Sequence, residues 1–212
     1  MAAFDFKKAY KDLYLPKETP ELITVPVMRY IAVDGAGDPN EPEGAYSKAL
    51  ALLYALCYTI KMSKMGTFAV DGYYDYVVPP LEGFWQMDDG APGVDYTRKS
   101  GFTWTSLIRQ LEFVTPGVFA WACDEVRRKK GLDPTPARLI DIDEGLCVQC
   151  LHVGPFDDEP ATVAKMERYM AENGLVPDFS NARRHHEIYL GDPRKCAPDK
   201  QRSVLRHPVK SA

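Results

Sequence analysis

Apolar positions along the chain recur in two periods, and the changes of period divide it into elements. β-Branched residues fill LITVPVMRYIAVDG, residues 22–35, which ends in glycine and predicts a strand of about ten residues. The turn-rich GAGDPNEPEG follows. Tyr46, Ala49, Leu50, Leu53, Leu56, Cys57 and Ile60 then recur at helical spacing, predicting a helix from about residue 42 to 65 that lies on a sheet. Asn40 is its expected cap, with Glu43 as the reciprocal capping-box partner. GTFAVDGYYDYVVPP and EGFWQMD read as strands broken at Pro79–Pro80, DDGAPGVDYTRKSG as a loop, and FTWTSLIRQLEF as an alternating strand. Thr115 caps a second helix with Pro116 in its first turn, and Gly131 ends it after a basic last turn.

The second half repeats this order. GLCVQCLHVG is a strand, PFDDEPAT a turn, VAKMERYMAENG a helix closed by Gly174, and RRHHEIYLGD a strand. Each half carries an acidic Glu-Pro turn, Glu41-Pro42 and Glu159-Pro160. The expected fold is α+β, a tandem strand–helix–strand–strand (SHS2-like) repeat in one domain over residues 1–212, with halves at about 22–113 and 137–207. Its antiparallel sheet would carry helices on one face and a concave ligand cleft on the other.

Composition narrows the function classes. The 212 residues carry a net charge of −4 with 45% hydrophobic content, which suits a globular core and offers no basic field for nucleic acid. No run of about 18 apolar residues predicts a membrane span. The opening MAAFDFKKAYKDLY lacks the apolar centre of a signal peptide, so a cytoplasmic location is expected. Five cysteines, an odd number, suit free thiols in a reducing compartment.

Period-2 alternation places His185, Glu187 and Tyr189 on one face of their strand and His186, Ile188 and Leu190 on the other. If Ile188 and Leu190 meet the helices, Glu187 and Tyr189 face the open side. A carboxylate there attracts a cationic or proton-donating ligand, and burial would make it a general base. Trp85 and Trp104, flanked by polar neighbours, are the best cage walls for a planar cationic aromatic molecule, and Phe84, Phe156 and Tyr76 lie in or beside strands. Alternation does not decide which face His152 takes, and Tyr46 is either core or cleft edge. Cys147 and Cys150 point to opposite faces of a strand, as do His185 and His186, so neither pair predicts a metal, redox or disulfide site. A metal reading would have to draw on His152, His185 and the cysteines. DGAGDPN lacks the third glycine of a phosphate loop. No cofactor and no metal are expected, and the expected partner is a small aromatic molecule rather than nucleic acid or membrane.

VDGAGDPN, FWQ, QCLHVGPFDDEPAT and HHEIYLGDPRK resemble the GyrI-like small-molecule-binding family over roughly residues 22–195. That family is similar to the effector-binding domains of multidrug-sensing transcription activators and to a gyrase-inhibitor protein. The resemblance implies one ligand cleft between two halves, Glu187 as its central acid, and Trp85 as a wall. Phe156 stands where the family often has tyrosine. Some stand-alone members are described as hydrolases of cyclopropane-bearing DNA-alkylating natural products, which implies xenobiotic binding with that reaction here. The alternative is a protein-interaction module acting like the gyrase inhibitor.

Overall fold

Pro26 has no N–H to give a ladder, and the first predicted strand divides there into β1 (Glu21–Val25) and β2 (Met28–Ala36). The structure, a computed structural model, describes residues 3–91, 93–192 and 195–212. Pro92 of the predicted loop and Pro193 and Arg194 of the last motif lie outside the described residues, as do Met1 and Ala2. α3 (Ala45–Lys61) follows β2, with Leu53, Leu56, Cys57 and Ile60 buried as the periodicity predicts. Its cap differs from expectation. Gly44 takes the N-cap position without a side-chain bond, and Asn40 instead bonds the carboxylate of Asp38.

Residues 66–80 form no strand, only an isolated bridge between Phe4 and Tyr76. Their tyrosines suggested one, but Gly72 adopts a positive φ of 70° and Tyr73 and Tyr76 pack as side chains around Phe113. β3 (Leu81–Met87) and β4 (Phe102–Arg109) come next, then α4 (Pro116–Lys130). Thr115 accepts from the Val118 amide at 3.3 Å, and Gly131 closes the helix at φ 65°, as its caps foretold. β5 (Ala137–Ile142), β6 (Gly145–Val153), α5 (Glu159–Glu172), β7 (Leu175–Pro177), β8 (His185–Tyr189) and β9 (Arg202–Ser211) complete the sheet. Two short N-terminal helices, α1 (Phe6–Ala9) and α2 (Lys11–Tyr14), precede it.

The fold is α+β, and all strand pairs are antiparallel in the order β1-β6-β9-β8-β3-β4-β2-β5, with β7 beside β9. Strand, helix, strand and strand occur as β2-α3-β3-β4 and again as β6-α5-β8-β9. In each set the last strand lies between the other two, and β3 pairs with β8 where the sets meet.

Both faces of the sheet are covered. α3 and α5 lie on one face, and α4 packs on α3. α2 lies on the other, where Leu13 O accepts from Arg206 Nη2 at 3.0 Å and Tyr14 donates to Glu82 at 3.2 Å. Beneath α2 runs a buried ionic chain. His186 Nδ1 lies 2.9 Å from Glu144 and its Nε2 3.0 Å from Glu82, and Arg206 Nη1 lies 3.1 Å from Glu144. Burial opposes ionisation of Glu144, yet the charges of His186 and Arg206 prevail and hold its pKa at about 2. Arg206 is 1% exposed, an expensive placement that the Glu144 charge and the bonds to Leu13 O and Gln149 make tolerable.

Candidate active site

β8 alternates as predicted, but the face assignment is reversed. His185, Glu187 and Tyr189 point toward α3 and α5, and His186 and Ile188 toward α2. The N-terminal segment, which carried no strong helical pattern, supplies the second cover. Glu187 therefore sits between sheet and helices and is only 6% exposed.

Its surroundings are all hydrogen-bonding groups. Tyr189 donates to Glu187 Oε2 at 2.6 Å and accepts from the Trp85 indole N–H at 3.0 Å. Glu187 Oε1 lies 3.0 Å from His185 Nε2, and His185 Nδ1 lies 2.7 Å from His207 Nε2. Burial lowers His185 to a pKa of about 4, so the ring is neutral and the contact with Glu187 is a hydrogen bond, not an ion pair. When Glu187 is ionised, His185 donates from Nε2, and its Nδ1 must then accept from His207.

A second carboxylate completes the cluster. Glu159, the first residue of α5, is fully buried and accepts from Tyr96 at 2.6 Å and from Ser203 at 2.8 Å. Oxygens of Glu159 and Glu187 and a nitrogen of His185 all lie within 4.8 Å of one another. These three groups are close enough to ligate one cation, and each also makes hydrogen bonds. Burial raises Glu187 to about 7, with its bonds to Tyr189 and Glu159 opposing the rise. Burial and the neighbouring Glu187 charge raise Glu159 to about 8. Both carboxyl groups therefore keep their protons to higher pH than an exposed glutamate does.

The other expected site residues divide. Phe156 meets Tyr189 edge-on at 5.5 Å. Trp104 shares the face of Trp85, and Tyr46 of α3 lies against both, at 5.1 and 5.5 Å. Tyr46 thus lines the site. His152 faces α5 but is bound to Thr162 at 2.9 Å and to Pro155 O at 3.0 Å, which gives it a structural place. Two expectations fail. Phe84 lies on the α2 face, 4.2 Å from the His186 ring, because it is one residue out of step with Trp85. Tyr76 belongs to the separate cluster around Phe113. Glu159, Tyr96, Ser203 and His207 were not expected at the site. Glu-Pro at the start of a helix was the available signal for Glu159.

Gly83, opposite Glu187 in the ladder, leaves space for these rings. A Cβ there would lie 2.5 Å from the Trp85 indole nitrogen and 3.3 Å from the Tyr189 hydroxyl. Gly83→Ala is expected to displace Trp85, shift its fluorescence, and lower stability by about 1–3 kcal/mol in denaturant melts. A cavity of about 440 Å³ adjoins the cluster, with Phe156 and Tyr189 on its wall. No helix among the described residues is long and apolar enough to cross a membrane.

The model of the GyrI-like small molecule binding domain matches residues 18–210. A structure described as a hydrolase from Listeria innocua is 48% identical, covers 98% of this chain and 100% of its own, and superposes with a TM-score of 0.88. A second, a hydrolase encoded by lin2189 from Listeria innocua, is 47% identical over 99% of this chain and 100% of its own, with a TM-score of 0.90. The C-terminal domain of EcmrR, 12% identical over 92% of this chain and 98% of its own at a TM-score of 0.52, shares the fold. No curated protein matches at a significant level.

Proposed function

The chain belongs to the GyrI-like small-molecule-binding family, and from that premise we propose that it binds flat aromatic xenobiotics and hydrolyses those carrying a cyclopropane conjugated to a carbonyl. One observation carries this reading: two buried carboxylates with oxygens within 4.8 Å of each other, within a cluster edged by Trp85, Tyr189 and Tyr46. The aromatic edges stack the flat ligand. Glu187, the carboxyl that ionises first, orients a water and takes its proton as the oxygen attacks a ring methylene. The strained C–C bond breaks, and its electron pair moves through the conjugated system to the carbonyl oxygen. Protonated Glu159, or Tyr96 bonded to it, gives that oxygen a proton. The product is the substrate plus one water, and both carboxyl groups are reset by exchanging one proton. The two Listeria innocua structures described as hydrolases support a water-consuming reaction.

The test is mass spectrometry of a cyclopropane-bearing enone incubated with the protein. A product heavier by one water is expected, and substrate left intact in the presence of saturating protein would sink the hydrolytic part. Tyr96→Phe is expected to lower turnover about 10²-fold with substrate affinity little changed, since it removes a donor needed as charge develops on the oxygen.

A further inference from the structure

The cavity beside the carboxylate cluster has a charge opposite to that of the chain. Over the whole sequence, 30 acidic residues outnumber 26 basic ones. Around the cavity, Lys7, Lys8, Lys200 and Arg202 stand against a single acid, Asp5. Asp5 lies 3.8 Å from Lys8, which leaves Lys7, Lys200 and Arg202 in excess. Lys7 is held in place, since its ammonium donates to Leu190 O at 3.3 Å on the cavity wall. Asp192 and Asp199 belong to the same segment as Lys200 but do not line the space.

Between these charges the surface is apolar and partly flat. Phe156, Tyr189, Leu190 and Leu15 supply it, and Tyr189 also forms the boundary with Glu187. At about 440 Å³ the space suits a fused aromatic ring system rather than a solvent molecule. We propose that this cavity receives the non-reacting end of the ligand and selects an aromatic compound with an anionic edge, an arene carboxylate. The inference rests on the functional reading above and departs from the cationic ligand that a central carboxylate suggests. The buried carboxyl pair lies behind the hydrogen-bond donors Tyr96, Ser203 and Tyr189. An incoming cation meets three like charges before it, whereas an arene carboxylate gains them as partners while its rings cover Phe156 and Tyr189.

Three naphthalenes of the same shape test this by calorimetric titration: naphthalene-2-carboxylate, its neutral carboxamide, and naphthalen-2-ylmethylammonium. At low salt the carboxylate is expected to bind at least about tenfold more tightly than the ammonium, and the gap should narrow in about 0.5 M salt. Lys200→Glu combined with Arg202→Glu, both solvent-exposed, should invert the order, with circular dichroism confirming an unchanged fold. The proposal is overturned if the ammonium binds as tightly as the carboxylate, if none of the three binds at millimolar concentration, or if charge reversal leaves the order unchanged. Glu187→Gln separates the two readings, because it acts on hydrolysis and not on the rim. Loss of the naphthalene preference with hydrolysis intact refutes only the charge selection, and the converse refutes only the reaction.

Discussion

Glu187→Gln is expected to cut hydrolytic turnover by about 10²–10⁴-fold while leaving the fold at least as stable as before. The amide keeps the shape that Tyr189 and His185 surround, but it cannot take a proton from water. The proposed reaction needs Glu187 ionised and Glu159 protonated, and burial raises both, so the pH profile of the parent protein should be a bell centred well above the ordinary carboxylate range. Stability moves the other way. A carboxyl whose pKa is raised on folding stays neutral where the unfolded chain would ionise, so it costs stability above the ordinary value of 4.5, increasingly until the folded value is passed. Glu159→Gln and Glu187→Gln should therefore both raise the melting temperature, and more so at about pH 8 than at about pH 5. An inactive variant that melts lower at pH 8 would contradict this account of the pair.

Glu144→Gln should have the largest effect on stability, a loss of about 3–5 kcal/mol, because Arg206 and His186 would remain buried with one charge fewer to oppose them. For a chain of this size that corresponds to a fall in melting temperature of about 10 °C. The pH dependence follows from two shifts of opposite sign. Glu144 is depressed from 4.5 to about 2, so its contribution is complete above 4.5 and is lost as pH falls toward 2. His186 is raised by Glu144 and Glu82 against the effect of its burial, so its contribution is complete below 6.5 and is lost as pH rises through its folded value. The chain of charges works at full strength between these limits. A difference between parent and variant that is greatest in this window, in thermal melts across pH, is the expected result.

Much of this was legible where one face is apolar and the other is not. The periodic face of α3 and the caps of α4 were correct, and alternation in β8 put His185, Glu187 and Tyr189 together. The face they would take was not legible, because the covering segment, α1 and α2, consists of two four-residue helices without a repeating pattern. β9 was missed because both of its faces are buried and each mixes apolar with polar residues: Ser203 and His207 point toward the carboxylate cluster, Arg206 toward Glu144. A strand buried on both sides shows no alternation. Tyr96 reaches Glu159 from a glycine-containing loop, and nothing local marks such a residue. Residues 66–80 show the reverse error, aromatic residues that favour strands in a stretch whose backbone turns.

The seam between β3 and β8 bears on how such a site can arise. The two strands are antiparallel and in register at Gly83 and Glu187, so a twofold axis passing through that pair would exchange the two positions. Two identical half-length chains paired along this edge would set the same residue against itself: two glycines with no acid, or two glutamates pressed together with no room for Trp85. Only a single chain with its halves free to differ can place a glutamate on one side and empty space on the other. The asymmetry of one pair, more than the number of strands, ties this site to a chain that carries both halves.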